Sequence, residues 1–192
     1  TLDFDRVNPI ATYLILDTKD LNIKSVIVNG EDATYTLADA DEVLGSKLTI
    51  DVGAEANQAR ITYSTSPAAE GLQWLTPAQT AGKQHPYLFS QAQALNARTI
   101  APLQDTPAVR MTYSATLRVP EPLLPLMSAE QKGQNAAGEY LFDMPQPIPS
   151  YLLAIAVGDI KFKAINETIG VYAEEYILDA AAEEFSETPL ME

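Results

Sequence analysis

The chain has no cysteine and a single histidine, His85, in 192 residues. The first absence excludes disulfides, thiolate metal ligands and a cysteine nucleophile, and it suits a reducing, cytoplasmic compartment. Together the two argue against a self-contained catalytic zinc site, which takes about three ligands from His, Cys and carboxylates. Positive charge is scarce as well: 12 Lys and Arg stand against 26 Asp and Glu, a formal net charge of -14. Nucleic acid and anionic membrane surfaces need clustered basic residues, so neither is expected as a partner. Long apolar runs are also missing. The longest, Tyr151-Leu-Leu-Ala-Ile-Ala-Val157, has the length of a strand and not of a bilayer span. No charged-then-apolar signal segment opens the chain. A start at Thr1 in place of Met reads as processed or cut, with room for a removed leader. The Gly-x-Ser-x-Gly elbow, the phosphate-cradling Gly-rich loop and the dinucleotide fingerprint are absent too.

What is present reads as strands. Ile10–Leu16 is a β-branched and aromatic run that ends in the polar turn Asp17-Thr-Lys-Asp20. Ile23–Val28 leads into Asn29-Gly30, the pair favoured where a two-residue hairpin needs positive φ at both turn positions, and Ala33–Leu37 is the expected return. Asp39-Ala-Asp-Glu42 lacks the spacing and central Gly of a calcium loop and reads as a solvated turn. Leu48–Val52 and Arg60–Ser64 alternate on either side of Gly53–Asn57 and predict another antiparallel pair. From Ser66 to Pro86 the alternation gives way to a loop-like tract that carries Trp74 and His85; His85 reads as a structural or loop contact.

Val109–Val119 shows the clearest period of two, closed by Pro120–Pro125. Gln131–Gly138 reads as a polar turn region, and Tyr140–Met144 and Tyr151–Val157 as strands flanking Pro145–Pro149. Ile160–Phe162 and Ile169–Tyr172 complete the β portion. Asn166-Glu-Thr168 matches a glycosylation acceptor, a match short enough to arise by chance. From about Ile177, the run Leu178-Asp-Ala-Ala-Ala-Glu-Glu-Phe185 is helix-forming. The expected division is therefore a β-rich domain over 1–175 and a helical linker over 176–192, as in a module joined to a further domain.

The stretch that organises the chain is Lys83–Pro107. As a strand it would place Tyr87, Phe89, Gln91, Gln93 and Leu95 on one face, with the two glutamine amides about 7 Å apart. Such a pair offers acceptors and donors suited to a peptide backbone, although a polar sheet edge has the same composition. Further on, Asp105-Thr-Pro107 favours a local turn, and Arg98 is placed to pair bidentately with Asp105 in a structural role.

Gly71-Leu-Gln-Trp-Leu-Thr-Pro77, Gly82-Lys-Gln-His-Pro-Tyr-Leu-Phe-Ser-Gln-Ala-Gln-Ala94, Ala97-Arg98, Pro102-Leu-Gln-Asp-Thr-Pro107 and Glu184-Phe-Ser-Glu-Thr188 closely resemble the N-terminal domain of the leukotriene A(4) hydrolase family and its bacterial aminopeptidase relatives. The resemblance spans essentially the whole chain. It implies an all-β domain of saddle-like mixed sheets, with a short C-terminal helix, that packs on a thermolysin-like zinc domain and helps wall its cleft. It also implies that Gln91, Ala92 and Gln93 contact a peptide substrate, beside a Gly-x-Met-Glu-Asn motif of the catalytic domain. The zinc ligands, catalytic Glu and transition-state Tyr of that family fall outside this chain, so zinc belongs to the parent enzyme and the chain alone is expected to be inactive. Where the family often has Cys before the aspartate of the Pro-x-x-Asp-x-Pro loop, this chain has Leu103-Gln104-Asp105. The epoxide hydrolase determinants also lie elsewhere, and most bacterial relatives are plain aminopeptidases. Separated from its catalytic domain, the chain is expected to self-associate through the apolar surface left uncovered. The rival reading is a free-standing β module for binding or a structural spacer. Zero Cys, few Arg and strong acidity suit a cold or saline bacterial source.

Overall fold

Two sheets make up the first of the two units into which residues 1–186, those described by the computed structural model, divide. This unit comprises Thr1–Leu72, Gln91–Met111 and Pro147–Leu153. Its strands are β1 (Leu2–Asp3), β2 (Tyr13–Thr18), β3 (Asn22–Val28), β4 (Glu31–Asp32), β5 (Tyr35–Leu37), β6 (Ser46–Asp51) and β7 (Gln58–Ser64). One sheet runs β1-β7-β3-β4 and the other β2-β6-β5. Because side chains alternate between faces, Leu16 of β2, Leu48 and Ile50 of β6 and Val26 of β3 all reach one core, joined by Val52 and Ala56. Leu48 and Ile50 are fully buried, and each side chain of this kind contributes about 1.5–3 kcal/mol through burial.

The Asn29-Gly30 turn forms as its residue types dictate, with φ of 53° and 86°. The return is shorter than the sequence suggests, however. Glu31 and Asp32 pair with β3 and the Ala33 N–H donates to the Val26 carbonyl at 2.9 Å, after which Tyr35–Leu37 joins β6 in the other sheet. Likewise the alternating runs at 48–52 and 60–64 do not pair with each other. β6 lies between β2 and β5, while β7 lies between β1 and β3. Alternation reports that a segment is a strand with one buried face; it carries no information about its partner. The Gly53–Asn57 turn therefore takes the chain from one sheet to the other, with Ala56 tucked into the core at 1% exposure.

The second unit comprises Gln73–Ser90, Thr112–Gln146 and the described residues from Ala154 onward. Its strands, some of which begin or end in the first unit's segments, are β8 (Leu72–Leu75), β9 (Tyr87–Ser90), β10 (Arg110–Leu117), β11 (Leu124–Met127), β12 (Glu130–Gln134), β13 (Tyr140–Pro149), β14 (Ile155–Gly158), β15 (Lys161–Ala164) and β16 (Gly170–Ala173). They form sheets in the orders β11-β14-β9-β8, β10-β13-β12 and β15-β16. β10 alternates between exposed and half-buried residues along its whole length, as its sequence pattern requires. The last described element is α1 (Leu178–Ser186), rich in Ala and Glu. Residues 187–192, which include the end of the Glu184–Thr188 motif and of the expected linker, lie outside the described residues.

Several expectations are corrected here. The tract before Pro86 contains β8 and a short 3-10 turn at Pro77–Gln79. Within Gln131–Gly138, polar on both faces, the first residues belong to β12. This strand, an outer member of its sheet, is exposed throughout and carries an irregularity at Gly133, where φ is 88°. β13 continues through Pro145, Pro147 and Pro149; spaced two apart, these put their missing N–H groups on one edge of the strand. Pro125 is buried within β11, an edge strand, where a proline can be accommodated. Ser150–Leu152 forms a 3-10 turn, so β14 starts only at Ile155. No helix among the described residues is long and apolar enough to cross a membrane.

Candidate functional site

The strand that begins at Tyr87 ends at Ser90, so Gln91 and Gln93 are not neighbours along a sheet face. They occupy a turn. Ala92, Ala97 and Leu103 pack together with half-buried Ile100, Ala101 and Met111, and this draws the backbone inward just where the strand would have continued. Alanine fits either face of a strand or the inside of a turn, which is why alternation alone misread the segment. The N–H of Asn96 donates to the Ala92 carbonyl at 2.9 Å, a helical spacing, and a 3-10 turn follows at Ala97–Thr99. The Gln93-Ala94 peptide bond is cis.

Gln91 and Gln93 are both exposed, and the Gln93 N–H donates to Gln91 Oε1 at 3.4 Å. Ala92 between them is 3% exposed, so its side chain serves packing. The arrangement is a pair of uncharged amides at the rim of a buried knot. It supplies hydrogen-bond donors and acceptors and no acid, base or nucleophile.

Beneath the turn lies the knot itself. The side chains of Arg98 and Asp105 are 5% and 0% exposed, with Arg98 Nε 3.1 Å from Asp105 Oδ2. The geometry is not the carboxylate fork expected from the sequence. Nη2 donates to the Asp105 carbonyl at 3.2 Å and Nη1 to the Leu44 carbonyl at 2.7 Å. Asp105 Oδ2 also accepts the Arg98 N–H at 3.2 Å, and Oδ1 accepts the Ser150 hydroxyl at 2.6 Å. The Asp105 N–H in turn donates to Asp17 Oδ2 at 2.9 Å. One ion pair thus ties together β2, the 41–45 loop, the Gln-bearing segment and the 3-10 turn after β13. Spacing gave no hint of Asp17, Leu44 or Ser150, since contacts at such sequence separation leave no periodicity.

Two further groups brace the same region. Asp41 Oδ1 accepts the N–H groups of Leu44 and Val43 at 2.7 and 2.8 Å, and these bonds hold its carboxyl below the ordinary carboxylate value. The acidic run therefore acts as a local turn cap. Tyr63 donates its hydroxyl to the Ile100 carbonyl at 3.0 Å, and burial pushes its phenol above the usual tyrosine value. In the second unit, His85 Nε2 is 3.9 Å from Asp159 Oδ2, and the His85 carbonyl accepts the Thr80 hydroxyl at 3.1 Å. Asn166 Oδ1 accepts the N–H groups of Thr168 and Ile169, capping the turn between β15 and β16. Among the described residues, no group of three or more His, Cys, Asp or Glu is arranged to hold a metal.

The chain is similar to several known proteins. Among curated relatives, the leukotriene A-4 hydrolase of Xenopus laevis is 42% identical over 189 residues, covering 93% of this chain and 31% of that protein. Leucine aminopeptidase 2 of Yarrowia lipolytica is 40% identical over 175 residues, covering 90% of this chain and 27% of that protein. The chain thus spans less than a third of the length of either relative. Among solved structures, native leukotriene A4 hydrolase from Saccharomyces cerevisiae matches with a TM-score of 0.85 at 32% identity, covering 99% of this chain and 30% of that one. An M1 zinc metallopeptidase from Deinococcus radiodurans, at 18% identity and a TM-score of 0.62 over 84% of this chain and 38% of that one, shares the fold. The family described as the peptidase M1 N-terminal domain matches residues 4–152, and with its β architecture and these relatives the chain belongs to that family.

Proposed function

We propose that this chain is the non-catalytic, substrate-side domain of a zinc aminopeptidase, and that Gln91 and Gln93 hydrogen-bond the first residues of a peptide whose N-terminal residue the catalytic domain removes. One observation carries the reading. Two exposed amides, with no ionisable group between them, sit on a turn anchored in buried ground by Ala92, Ala97 and the Arg98–Asp105 pair. An exposed polar turn without a binding role has no need of so rigid a base, whereas rigid support for a recognition group cuts the entropy cost of binding. Neutral amides also suit a peptide backbone, which offers N–H and C=O groups and no charge to pair.

In this reading the chain is one wall of the cleft, the rest of the polypeptide supplies the zinc and its ligands, and the enzyme works in the cytoplasm. Aminopeptidase action is preferred over epoxide hydrolysis because the amide pair matches a peptide chain. In the polypeptide that carries both domains, Gln93→Ala is expected to raise KM for peptides roughly threefold to tenfold, the net worth of about one hydrogen bond. The unfolding midpoint should stay put, since Gln93 is exposed. Steady-state kinetics with a tripeptide amide checks this, and an unchanged KM would remove the glutamines from the site.

A further inference from the structure

Gly71 and Thr99 close a ring of hydrogen bonds behind the glutamine turn. The Gly71 N–H donates to Thr99 Oγ1 at 2.9 Å in a buried bond, and the Gly71 carbonyl accepts the Gln91 N–H at 3.0 Å. The Thr99 hydroxyl in turn donates to the Asn96 carbonyl at 2.7 Å, and the Asn96 N–H donates to the Ala92 carbonyl at 2.9 Å. The ring therefore runs from Gln91 through Gly71, Thr99, Asn96 and Ala92 and back along the chain to Gln91. Thr99 is 1% exposed, so water does not compete for its hydroxyl, which both accepts and donates.

The ring also fixes which residue position 71 tolerates. A Cβ added there would lie 2.6 Å from Thr99 Oγ1, 2.6 Å from the Asn96 carbonyl oxygen and 3.1 Å from Ile100 Cγ1. A methyl at 71 would collide with both the Thr99 hydroxyl and the Asn96 carbonyl oxygen, so the glycine is required by space and not by its φ.

We propose that Thr99, acting through Gly71, is a positioning residue for peptide binding: its hydroxyl sets the backbone of Gln91, and hence where the two amides stand. The proposal rests on the substrate role of Gln91 and Gln93 given above. A side chain that merely filled space would affect folding, whereas one that aims the turn affects the affinity of whatever the turn grips.

The test uses Thr99→Val, which keeps the shape and loses the hydroxyl, Thr99→Ser, which keeps the hydroxyl, and Gln93→Ala, all in the polypeptide carrying both domains. Thr99→Val should raise the peptide KM roughly threefold to tenfold with kcat nearly unchanged, and Thr99→Ser should restore it. In the chain itself, amide hydrogen exchange at Gln91 should accelerate in Thr99→Val and not in Thr99→Ser. If Gln91 exchange and KM both stay at their original values in Thr99→Val, the relay does not exist. If Gln93→Ala raises KM while Thr99→Val leaves it unmoved, the glutamine reading stands and the positioning role is overturned. If neither variant moves KM, the glutamine reading itself has failed and the positioning role falls with it.

Discussion

Asp105→Ala is expected to cost about 3–5 kcal/mol of stability, the penalty for removing one partner of a buried ion pair. The change leaves a guanidinium with 5% side-chain exposure without its nearest carboxylate, the remaining one being Asp17 Oδ1 at 3.8 Å from Nη1. It also deprives the Ser150 hydroxyl of an acceptor at 2.6 Å and the Arg98 N–H of one at 3.2 Å. Against a total stability of about 5–15 kcal/mol for a typical domain, a loss of that size leaves the first unit marginal. Most of the cost comes from the stranded partner and not from the attraction between the charges. Arg98→Met combined with Asp105→Leu should therefore cost clearly less than the sum of the single losses. Urea denaturation followed by circular dichroism measures both, and a midpoint for Asp105→Ala close to that of the unaltered chain would show the pair to be incidental.

The second large effect is expected at Leu48→Ala, about 2–5 kcal/mol. Leu48 is 0% exposed and packs in the core with Leu16, Val26 and Ile50. Truncating it removes buried methyl groups and leaves a cavity that strands from both sheets line, so relaxation is limited. Its register partner Leu37 on β5 is 45% exposed, and Leu37→Ala should stay within about 0.5 kcal/mol. Thermal unfolding of the two variants separates them. Equal shifts would mean that the sheet packing described for the first unit is wrong.

What the sequence disclosed follows from what each local signal physically reports. Asn29-Gly30 fixes a turn because the required φ values are cheap only for those residue types, and both values are positive as expected. The period of two in β10 and the Ala-Glu run of α1 report local geometry, and both elements are present. Partner choice was hidden, because β6 and β7 look like a hairpin until Tyr35 and Ile61 are seen on opposite sheets of one core. Gln91–Asn96 was misread as strand because alanine at 92 and 94 is compatible with either geometry, and only the packing of Ala92 against Ala97 and Leu103 decides between them. The Arg98–Asp105 contact was legible from the Asp-Thr-Pro turn. Its extension to Ser150 and Asp17, and the clasp of Gly71 on Thr99, depend on tertiary approach and leave no mark on spacing.

The central claim is that these residues serve as the substrate wall of a zinc aminopeptidase, and the complete reading frame that contains them tests it most directly. Its purified product should contain zinc and release N-terminal residues from peptides, both lost on chelation, while the chain Thr1–Glu192 by itself does neither. A complete product without zinc, or one that holds zinc and leaves peptides intact, would contradict the account and return the chain to the class of free-standing β modules.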